Sequence, residues 1–352
     1  MGEKRKLYCK KPYFYGMILV TGGTGLVGAN LLYSLLQKHA KVRATHRSWS
    51  NLEDVKKVFS FYSEDAQSLF DKIEWIETNI IEVPALTLAF EGVTEVYHCA
   101  AFISFNPKHY YLLKKTNIEG TANVVNLCLA NGIQKLCYVS SIATLGDTLD
   151  ESAVDEESDW NPEENHGVYS ITKFGAEMEI WRGIQEGLNA VIVNPGVILG
   201  EWFRNSGSGI IVRNAAKGNR FYTTGSTGFV DVRDVVKVMT LLMEGSHSGE
   251  RYILVGENMK YQDFLGRMAQ LFGKKPPSKA IGRNTLRFLS TLDALRSFLF
   301  RRKRKLLKSV VDSMYHSTHY DNSKIKTELH FKFTSMEETL TRIVKNYSSS
   351  SS

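Results

Sequence analysis

Between Met17 and Asn194, short apolar runs rich in β-branched residues alternate with longer segments of helical periodicity. This alternation is typical of consecutive βαβ units, in which helices connect the parallel strands of one sheet. The predicted strands cover residues 17–21, 41–46, 73–77, 95–98, 135–140 and 190–194. The predicted helices cover residues 25–39, 84–92, 107–130 and 168–186. The sequence therefore predicts an α/β protein with a doubly wound parallel sheet.

After Pro195 the chain changes to glycine-rich connections and shorter elements, predicted at residues 209–217, 230–243, 251–255 and 261–272. Such a change indicates that a second, smaller unit begins there. We expect a main domain of residues 15–195, to which residues 229–256 return, and a smaller mixed α/β substrate-binding lobe of residues 196–228 and 257–347. The terminal serines, residues 348–352, are too polar to pack and are predicted to be disordered.

Composition excludes several classes of protein. Of the 352 residues 43% are hydrophobic and seven are prolines, which excludes a collagenous or mainly disordered chain. The four widely spaced cysteines fit neither a disulfide framework nor a CxxC zinc motif, and the scattered histidines lack a ligand pattern, so no metal is predicted. The apolar stretch at residues 17–20 is too short for a signal peptide or a membrane span. We therefore expect a cytoplasmic protein.

The first predicted strand runs directly into three spaced glycines, Gly22, Gly25 and Gly28, and then into a helix. Glycines permit a tight turn and a close approach to a ligand, and a helix N-terminus offers free N–H groups and a positive dipole. Leu26 and Val27 belong to the same turn. These features indicate the pyrophosphate site of a dinucleotide, which makes the main domain a Rossmann-type cofactor-binding domain. A turn with a purely structural role is the alternative.

The end of the second strand distinguishes the two nicotinamide dinucleotides. An acidic residue there binds the ribose 2′-hydroxyl of NAD, whereas an arginine accommodates the 2′-phosphate of NADP. This strand continues into Arg47 and Ser48, without an acid. We therefore predict NADP, with NAD as the alternative, and expect both residues to bind the extra phosphate through charge-assisted hydrogen bonds. Two alternatives stay open: Arg47 is a solvated surface residue, or Arg43 shares its role if the strand register differs.

Tyrosine and lysine four residues apart lie on one face of a helix, where they can act together in proton transfer. The chain contains four such pairs: Tyr110/Lys114, Tyr111/Lys115, Tyr169/Lys173 and Tyr320/Lys324. Only Tyr169 and Lys173 begin a predicted helix that follows a strand ending in hydroxyl residues. Ser141 is the candidate at that strand end, where ligands bind in open α/β sheets, and Ser140 and Thr144 are its rivals.

These features resemble the extended short-chain dehydrogenase/reductases, which include nucleoside-diphosphate-sugar epimerases, dihydroflavonol-reductase-like enzymes and 3β-hydroxysteroid dehydrogenases. The resemblance, to the NAD-dependent epimerase/dehydratase family in particular, covers roughly residues 15–270. The motifs that carry it, in the family's order, are Thr21-Gly-Gly-Thr-Gly-Leu-Val-Gly28, His98-Cys-Ala-Ala101, Asn117-Ile-Glu-Gly-Thr121, Ser140-Ser141, Tyr169 with Lys173, Asn194-Pro-Gly196 and Phe229-Val-Asp-Val-Arg-Asp234.

The resemblance implies a catalytic role for four residues. Tyr169 is the general acid/base that exchanges a proton with the substrate oxygen, and Lys173 stabilises its phenolate and holds the nicotinamide ribose. Ser141 hydrogen-bonds the reacting oxygen, and Asn117 supports a proton relay behind the pair.

The resemblance also implies further cofactor contacts. Small residues after the fourth strand let the backbone pass close to the cofactor, and an amide can bind the adenine amino group where the family usually has Asp. The implied contacts are Asn79 and Ile80 beside adenine, Ala100 and Ala101 after the fourth strand, and Pro195 and Val197 beside nicotinamide.

One position bears on the substrate. The sugar-nucleotide branch commonly has an arginine just before the Phe229 strand, where this chain has Gly228, so the cation for a diphosphate is missing at that position. Other cations of the second lobe could compensate, namely Arg204, Arg213, Lys217 and Arg220, so the sugar-nucleotide alternative stays open. Residues 193–200 are similar to the dihydroflavonol-reductase-like branch, whose substrates are ketones or aldehydes. We predict an NADP-dependent oxidoreductase that reduces a small-molecule carbonyl or oxidises the corresponding alcohol. The alternatives are an NAD-dependent nucleoside-diphosphate-sugar epimerase/dehydratase and a non-catalytic dinucleotide-sensing protein. The resemblance makes a homodimer a further option.

Residues 283–308 carry nine Lys/Arg and one Asp, a charge of +8, so the rest of the +7 chain carries −1. A helical wheel spreads six apolar residues over one broad face, namely Leu286, Leu289, Leu292, Leu295, Leu299 and Phe300. We expect this helix to pack that face on the second lobe and to leave its basic residues in water. Weak contact with anionic lipid is the alternative. Nucleic acid is not predicted, because the single basic run lacks interleaved aromatic residues.

Overall fold

Parallel strands and their connecting helices make up most of the computed structural model, which describes residues 16–146, 153–203, 207–300 and 306–349. The strands are β1 (Met17–Thr21), β2 (Val42–His46), β3 (Ile73–Glu77), β4 (Val93–His98), β5 (Lys135–Val139), β6 (Ala190–Pro195), β7 (Val197–Leu199), β8 (Phe221–Tyr222), β9 (Ser226–Asp231), β10 (Glu250–Leu254), β11 (Glu257–Lys260) and β12 (Lys279–Ala280).

The α-helices are α1 (Leu26–Leu36), α2 (Glu53–Ser60), α3 (Ala66–Asp71), α4 (Val83–Ala89), α5 (Tyr110–Leu113), α6 (Gly120–Ala130), α7 (Val168–Gln185), α8 (Gly209–Lys217), α9 (Val232–Glu244), α10 (Tyr261–Leu271), α11 (Arg283–Leu299), α12 (Lys308–Ser313), α13 (Ser323–Glu328) and α14 (Met336–Ser349). Two 3₁₀ turns (Pro107–His109 and Ile142–Thr144) and one π-helical segment (Lys114–Glu119) complete the helical structure of the described residues.

The main sheet has seven strands in the order β10-β6-β5-β4-β1-β2-β3, and every pairing in it is parallel. The strand order reverses between β1 and β4, which creates the crevice where open α/β sheets bind ligands. Because all seven strands run the same way, their carboxyl ends meet at one edge of the sheet.

Helices cover both faces of this sheet, which confirms the doubly wound Rossmann-type architecture. On one face, β1 residues Ile18 and Val20 belong to a core that includes α1, α2 and α9. On the other face, Leu19 belongs to a core that includes α4, α6 and α7. The alternation along β1 follows from the two-residue period of a strand.

A smaller mixed sheet follows, in which β9 pairs parallel with β7 and antiparallel with β11. Side chains of α8, α10 and α14 form a separate core with it, in which the rings of Phe229 and Phe264 stack with centroids 4.5 Å apart. β10 leaves this region and pairs with β6 of the main sheet, so the chain returns there within residues 229–256.

The structure corrects three expectations. The segment predicted as one helix over residues 107–130 is divided into a 3₁₀ turn, α5, the π-helical segment and α6. Residues 53–71, for which no element was predicted, contain α2 and α3. Ser348 and Ser349 belong to α14, where the Ser348 hydroxyl donates a hydrogen bond to the Val344 carbonyl, so the predicted disordered tail is wrong for these two residues. Residues 350–352 lie outside the described residues.

Helix α11 contradicts the packing we expected of it. Five of the six apolar side chains of the predicted face are exposed rather than packed on the second lobe, and only Leu286 is half-buried; Leu295 and Leu299, for example, are 55% and 63% exposed. Ser290, on the opposite face, is buried. None of the described helices is long and apolar enough to cross a membrane.

Candidate active site

The glycine turn between β1 and α1 is tightly packed against its own backbone. Gly22 has φ +70°, a conformation that favours glycine. A Cβ on Gly28 would lie 2.2 Å from the Gly22 carbonyl oxygen, whereas a Cβ on Gly25 would meet only that oxygen at 3.5 Å. The outer side of the turn is thus open. Hydrogen bonding of α1 starts with Ala29 N–H to Gly25, so the N–H groups before it have no partner within the helix and can hold a pyrophosphate.

Arg47 and Ser48 lie at the carboxyl end of β2, one strand from the glycine turn, and both are exposed. The Arg47 guanidinium lies 5.0 Å from the centre of the Trp49 ring, a cation–π contact that leaves the edge of the guanidinium available for hydrogen bonds. The Arg43 guanidinium is already bound by other groups: it pairs with Glu74 at 2.9 Å and donates hydrogen bonds to the Ala89 and Glu91 carbonyls. The alternative that Arg43 shares the phosphate role is therefore wrong.

The remaining residues expected at the adenine and central parts of the site follow β3 and β4. Asn79 is half-buried, and its side-chain oxygen accepts from the Ile81 N–H at 3.4 Å. Ile80 is buried against Gly120. Ala100 is half-buried: its backbone is so close to the glycine turn that a Cβ on Gly22 would lie 2.7 Å from it. Ala101 is exposed next to it.

A buried histidine connects the strands behind the turn, and its role was not evident from the sequence. His98 is fully buried at the end of β4 and hydrogen-bonds Thr21 of β1 at 2.6 Å and Thr121 of α6 at 3.0 Å. Burial lowers the pKa of His98 to about 3, so it is neutral at physiological pH. This histidine fixes the backbone at the switch point of the sheet.

Tyr169, at the start of α7, lies at the same edge of the sheet as Ser141, which follows β5. Burial raises the pKa of Tyr169 to about 12, and a hydrogen bond with Ser141 opposes that rise. The Ser141 hydroxyl oxygen also accepts from the Ala143 N–H at 3.2 Å, which fixes its rotamer. The Phe105 ring lies 5.4 Å from the Tyr169 ring, edge to face, and Phe105 is 47% exposed. Phe105 is thus a wall of the site that the motifs did not reveal.

Lys173 lies one turn along α7 from Tyr169 and is buried, and its ammonium hydrogen-bonds two residues of β5. It donates to the Tyr138 hydroxyl at 2.6 Å and to the Val139 carbonyl at 2.8 Å, and lies 4.3 Å from the centre of the Tyr138 ring. Burial lowers the pKa of Lys173 to about 7, and the nearby charge of Glu177 opposes this shift. The sequence identified Lys173 but not Tyr138, because the role of Tyr138 depends on the contact between β5 and α7.

Glu177 was also missed. It is fully buried one further turn along α7 and accepts hydrogen bonds from Ser140, from Thr144 at 2.8 Å and from Asn194 at 2.9 Å. Arg251 of β10 approaches its other oxygen at 3.3 Å. Ser140 and Thr144, the rivals of Ser141, donate their hydroxyl hydrogens to Glu177, so these contacts favour Ser141 as the hydroxyl that faces the substrate.

Asn117 lies in the π-helical segment, whose extra residue per turn directs this side chain inward. Its oxygen accepts from the Phe102 N–H at 2.8 Å, and its amide donates to the Phe102 carbonyl at 3.0 Å and to Thr172 at 3.3 Å. Asn117 thereby connects the loop after β4 with the helix that carries Tyr169 and Lys173.

On the side expected for nicotinamide, Pro195 is buried at the end of β6 and Val197 is half-buried at the start of β7. The neighbouring Gly228 lies in β9, where a Cβ would approach the Val255 side chain to 2.5 Å. An arginine at this position therefore does not fit the packing. Among the described residues, no three His, Cys, Asp or Glu side chains lie close enough together to hold a metal ion.

Comparison with known proteins gives the family. The profile of the NAD dependent epimerase/dehydratase family matches residues 18–256. A putative dihydroflavonol 4-reductase from Synechocystis sp. is 30% identical over 268 residues, which are 74% of each chain. Sterol demethylase protein B from Methylococcus capsulatus is 32% identical over 292 residues, which cover 81% of this chain and 84% of that protein.

Among solved structures, that of gox2253 superimposes with a TM-score of 0.79 at 25% identity, and the match covers 95% of this chain and 98% of that one. The agreement thus extends over nearly the whole chain, well beyond the cofactor-binding motifs. This chain belongs to the NAD dependent epimerase/dehydratase family and is an NAD(P)-dependent oxidoreductase of the extended short-chain dehydrogenase/reductase type.

Proposed function

We propose that this enzyme uses NADPH to reduce a ketone or aldehyde on a small, largely apolar molecule, and catalyses the reverse oxidation of the alcohol. The observation that carries the proposal is the hydrogen bond between Tyr169 and Ser141, with Lys173 one turn along α7, at the carboxyl edge of the sheet that also carries the open glycine turn. A phenol, a hydroxyl and an ammonium together can protonate a carbonyl oxygen during reduction.

The protein groups have separate roles in this reaction. Bound NADPH supplies the hydride that reduces the carbonyl carbon. The Tyr169 hydroxyl donates its proton to the carbonyl oxygen, and the Ser141 hydroxyl holds that oxygen by a hydrogen bond. The Lys173 ammonium stabilises the phenolate that remains. With a pKa of about 12, Tyr169 is protonated at neutral pH and can donate its proton to the carbonyl oxygen.

Asn117 serves this site as a positioning residue. It holds the loop after β4 and Thr172, the neighbour of Lys173, in one arrangement. The proton relay that we expected of Asn117 remains part of the proposal.

Cofactor contacts are assigned along the same edge. The turn formed by Gly22, Gly25 and Gly28, with Leu26 and Val27, holds the pyrophosphate. Asn79 and Ile80 contact adenine, Ala100 and Ala101 the centre of the cofactor, and Pro195 and Val197 the nicotinamide. Lys173 and Tyr169 also contact the nicotinamide ribose.

Preference for NADP is supported by the end of β2. Arg47 and Ser48 are exposed there, and the end of the strand carries no acidic side chain that would bind the ribose 2′-hydroxyl of NAD. The Trp49 ring orients the Arg47 guanidinium, so that a 2′-phosphate can be bound with less loss of side-chain entropy.

A carbonyl substrate, rather than a sugar nucleotide, is supported by Gly228. The packing of Val255 excludes an arginine at this position, so the site lacks the cation that a substrate diphosphate would meet there. The names of the two curated relatives refer to a dihydroflavonol and to a sterol, both of which are polycyclic and largely apolar. A small, largely apolar carbonyl compound is therefore the proposed substrate class.

We also place the enzyme in the cytoplasm. Cys99, Cys128 and Cys137 are free thiols, which suits a reducing compartment.

Titration of the purified protein with NADPH and with NADH tests the proposal, followed by a screen of a dihydroflavonol, a ketosteroid and aromatic aldehydes. We expect tighter binding of NADPH and oxidation of NADPH with at least one carbonyl. If the protein binds NADH more tightly than NADPH, and UDP- or dTDP-sugars stabilise it against thermal unfolding, the epimerase/dehydratase function would replace the proposed reductase function. Cofactor binding without turnover on either substrate class would favour a dinucleotide-sensing protein.

A further inference from the structure

Helix α11 has the reverse of the usual amphipathic arrangement: its apolar face is outside. Phe288, Leu292, Leu295 and Leu299 follow one another at helical spacing and form a single stripe, here called the docking stripe. These four side chains are 62%, 45%, 55% and 63% exposed, in the order given. Leu289 and Phe300, at 41% and 65%, extend the exposed apolar area. A surface helix normally buries such a face.

Polar contacts on the opposite face hold the helix in this orientation. The Ser290 hydroxyl donates to the Leu306 carbonyl at 3.0 Å, and the Leu306 N–H donates to Asp293 at 2.8 Å. Arg287 pairs with Asp312 of α12 at 2.6 Å. Rotating the helix to bury the docking stripe would break these bonds, so the exposure is built into the packing.

Charge identifies the chemistry of the partner. The docking stripe leads directly into the sequence Arg301-Arg-Lys-Arg-Lys305, and residues 283–308 together carry a charge of +8, against −1 for the rest of the chain. A contiguous exposed apolar patch marks a contact surface. An exposed apolar face that is followed in the sequence by a dense run of cations matches an anionic phospholipid bilayer, which offers both acyl chains and negative headgroups.

A second copy of the chain matches this surface less well. In a twofold dimer the same patch meets itself, which would bring one +8 segment against another. That repulsion opposes association, whereas anionic headgroups attract both segments.

We propose that the docking stripe binds the surface of anionic membranes, with α11 lying in the plane of the interface and the basic sequence that follows the helix adding electrostatic attraction. This inference goes beyond the proposed reaction and depends on none of its catalytic assignments. A contact links the neighbouring helix α12 to the active site: the Ser309 hydroxyl of α12 donates to the Phe105 carbonyl at 3.1 Å, and the Phe105 ring contacts Tyr169. Docking would therefore bring the site close to apolar molecules dissolved in the bilayer.

Cosedimentation of the full chain with vesicles tests the proposal. We expect binding to vesicles of phosphatidylserine and phosphatidylcholine at low salt, and little binding to phosphatidylcholine alone. The double variant Leu292→Ser/Leu295→Ser should lower the partition coefficient by about tenfold or more. Neutralising residues 301–305 to glutamine should lower it by about a hundredfold or more. Leu88→Ser, at an equally exposed leucine of α4, is the matched control and should bind like the wild type.

Three results would overturn the proposal. The first is that the wild type stays in the supernatant with anionic vesicles at low salt. The second is equal binding by the wild type and the Leu292→Ser/Leu295→Ser variant, provided that thermal unfolding shows both to be folded. The third is a wild-type dimer in analytical ultracentrifugation that becomes monomeric in the same double variant, which would assign the docking stripe to a second copy.

Discussion

Burial shifts the pKa of both proposed catalytic side chains of α7, Tyr169 and Lys173. Lys173 has a pKa of about 7 because it is desolvated, and the Glu177 carboxylate keeps that pKa from falling further. Because the ammonium form is the one that stabilises the Tyr169 phenolate, reduction should slow as the pH rises through the pKa of Lys173.

Glu177 can be tested through this dependence. Glu177→Gln removes the negative charge, so the pKa of Lys173 should fall and the alkaline limb of the pH profile of kcat/KM should move down by roughly one pH unit. Glu179→Gln, which makes the same charge change on α7 beside Arg182, is the control and should leave the profile in place. A loss of activity in Glu177→Gln with an unshifted profile would argue for a purely structural role.

Arg47 should determine cofactor preference. Arg47→Ala removes the guanidinium that we assign to the 2′-phosphate, so the Kd for NADPH should rise about 10- to 100-fold and that for NADH by less than about threefold. Isothermal titration with both cofactors measures this. Lys41→Ala removes a cation near the start of β2 and serves as control. An equal effect of Arg47→Ala on both cofactors would contradict the assignment.

The glycine turn and the one-turn spacing of Tyr169 and Lys173 were predictable from the sequence, because each depends on local spacing. Glu177 and Phe105 were not. Their importance comes from contacts between elements far apart in the chain, such as Glu177 with Arg251. A single sequence carries no signal for such contacts.

At the scale of elements, periodicity predicted the strands of the main sheet and most helices, but neither the short strands of the smaller sheets nor which face of a helix is buried. For α11 the decisive contacts are polar: Asp293 and Ser290 bind Leu306, which follows the helix in the chain. Similarly, the segment over 107–130 has helical composition throughout, yet it contains the π-helical segment that directs Asn117 inward.

Substitution by alanine should change the free energy of unfolding in opposite directions at two glycines, one in β9 and one in α10. At Gly228 of β9 a Cβ would clash with Val255, so Gly228→Ala should lower the free energy of unfolding by about 1–3 kcal/mol. At Gly266 of α10 nothing lies within 4 Å of a Cβ, so Gly266→Ala should raise it by about 0.5–1 kcal/mol. Urea denaturation of the two variants compares them. Gly228→Ala as stable as the wild type would remove the packing argument against a cation at that position.

At the scale of the whole molecule, one parallel sheet gathers the proposed site. Ser141 and Arg47 are far apart in sequence, but they follow strands whose carboxyl ends share one edge. The βαβ pattern was sufficient to predict this convergence, because it fixes strand direction. The arrangement of the smaller sheet was less predictable: its strands are short, and one of its neighbours in sequence, β10, pairs with the main sheet instead.

Turnover by Tyr169→Phe tests the central claim most directly, using NADPH and whichever carbonyl the wild type reduces. The variant should bind NADPH with a Kd within about threefold of the wild type and lose at least about a hundredfold in kcat, because it keeps the ring and lacks the proton donor. Tyr111→Phe, at an exposed member of another Tyr/Lys pair, should keep full activity. Reduction by Tyr169→Phe at a rate close to that of the wild type would contradict the proposed proton donor and, with it, the mechanism.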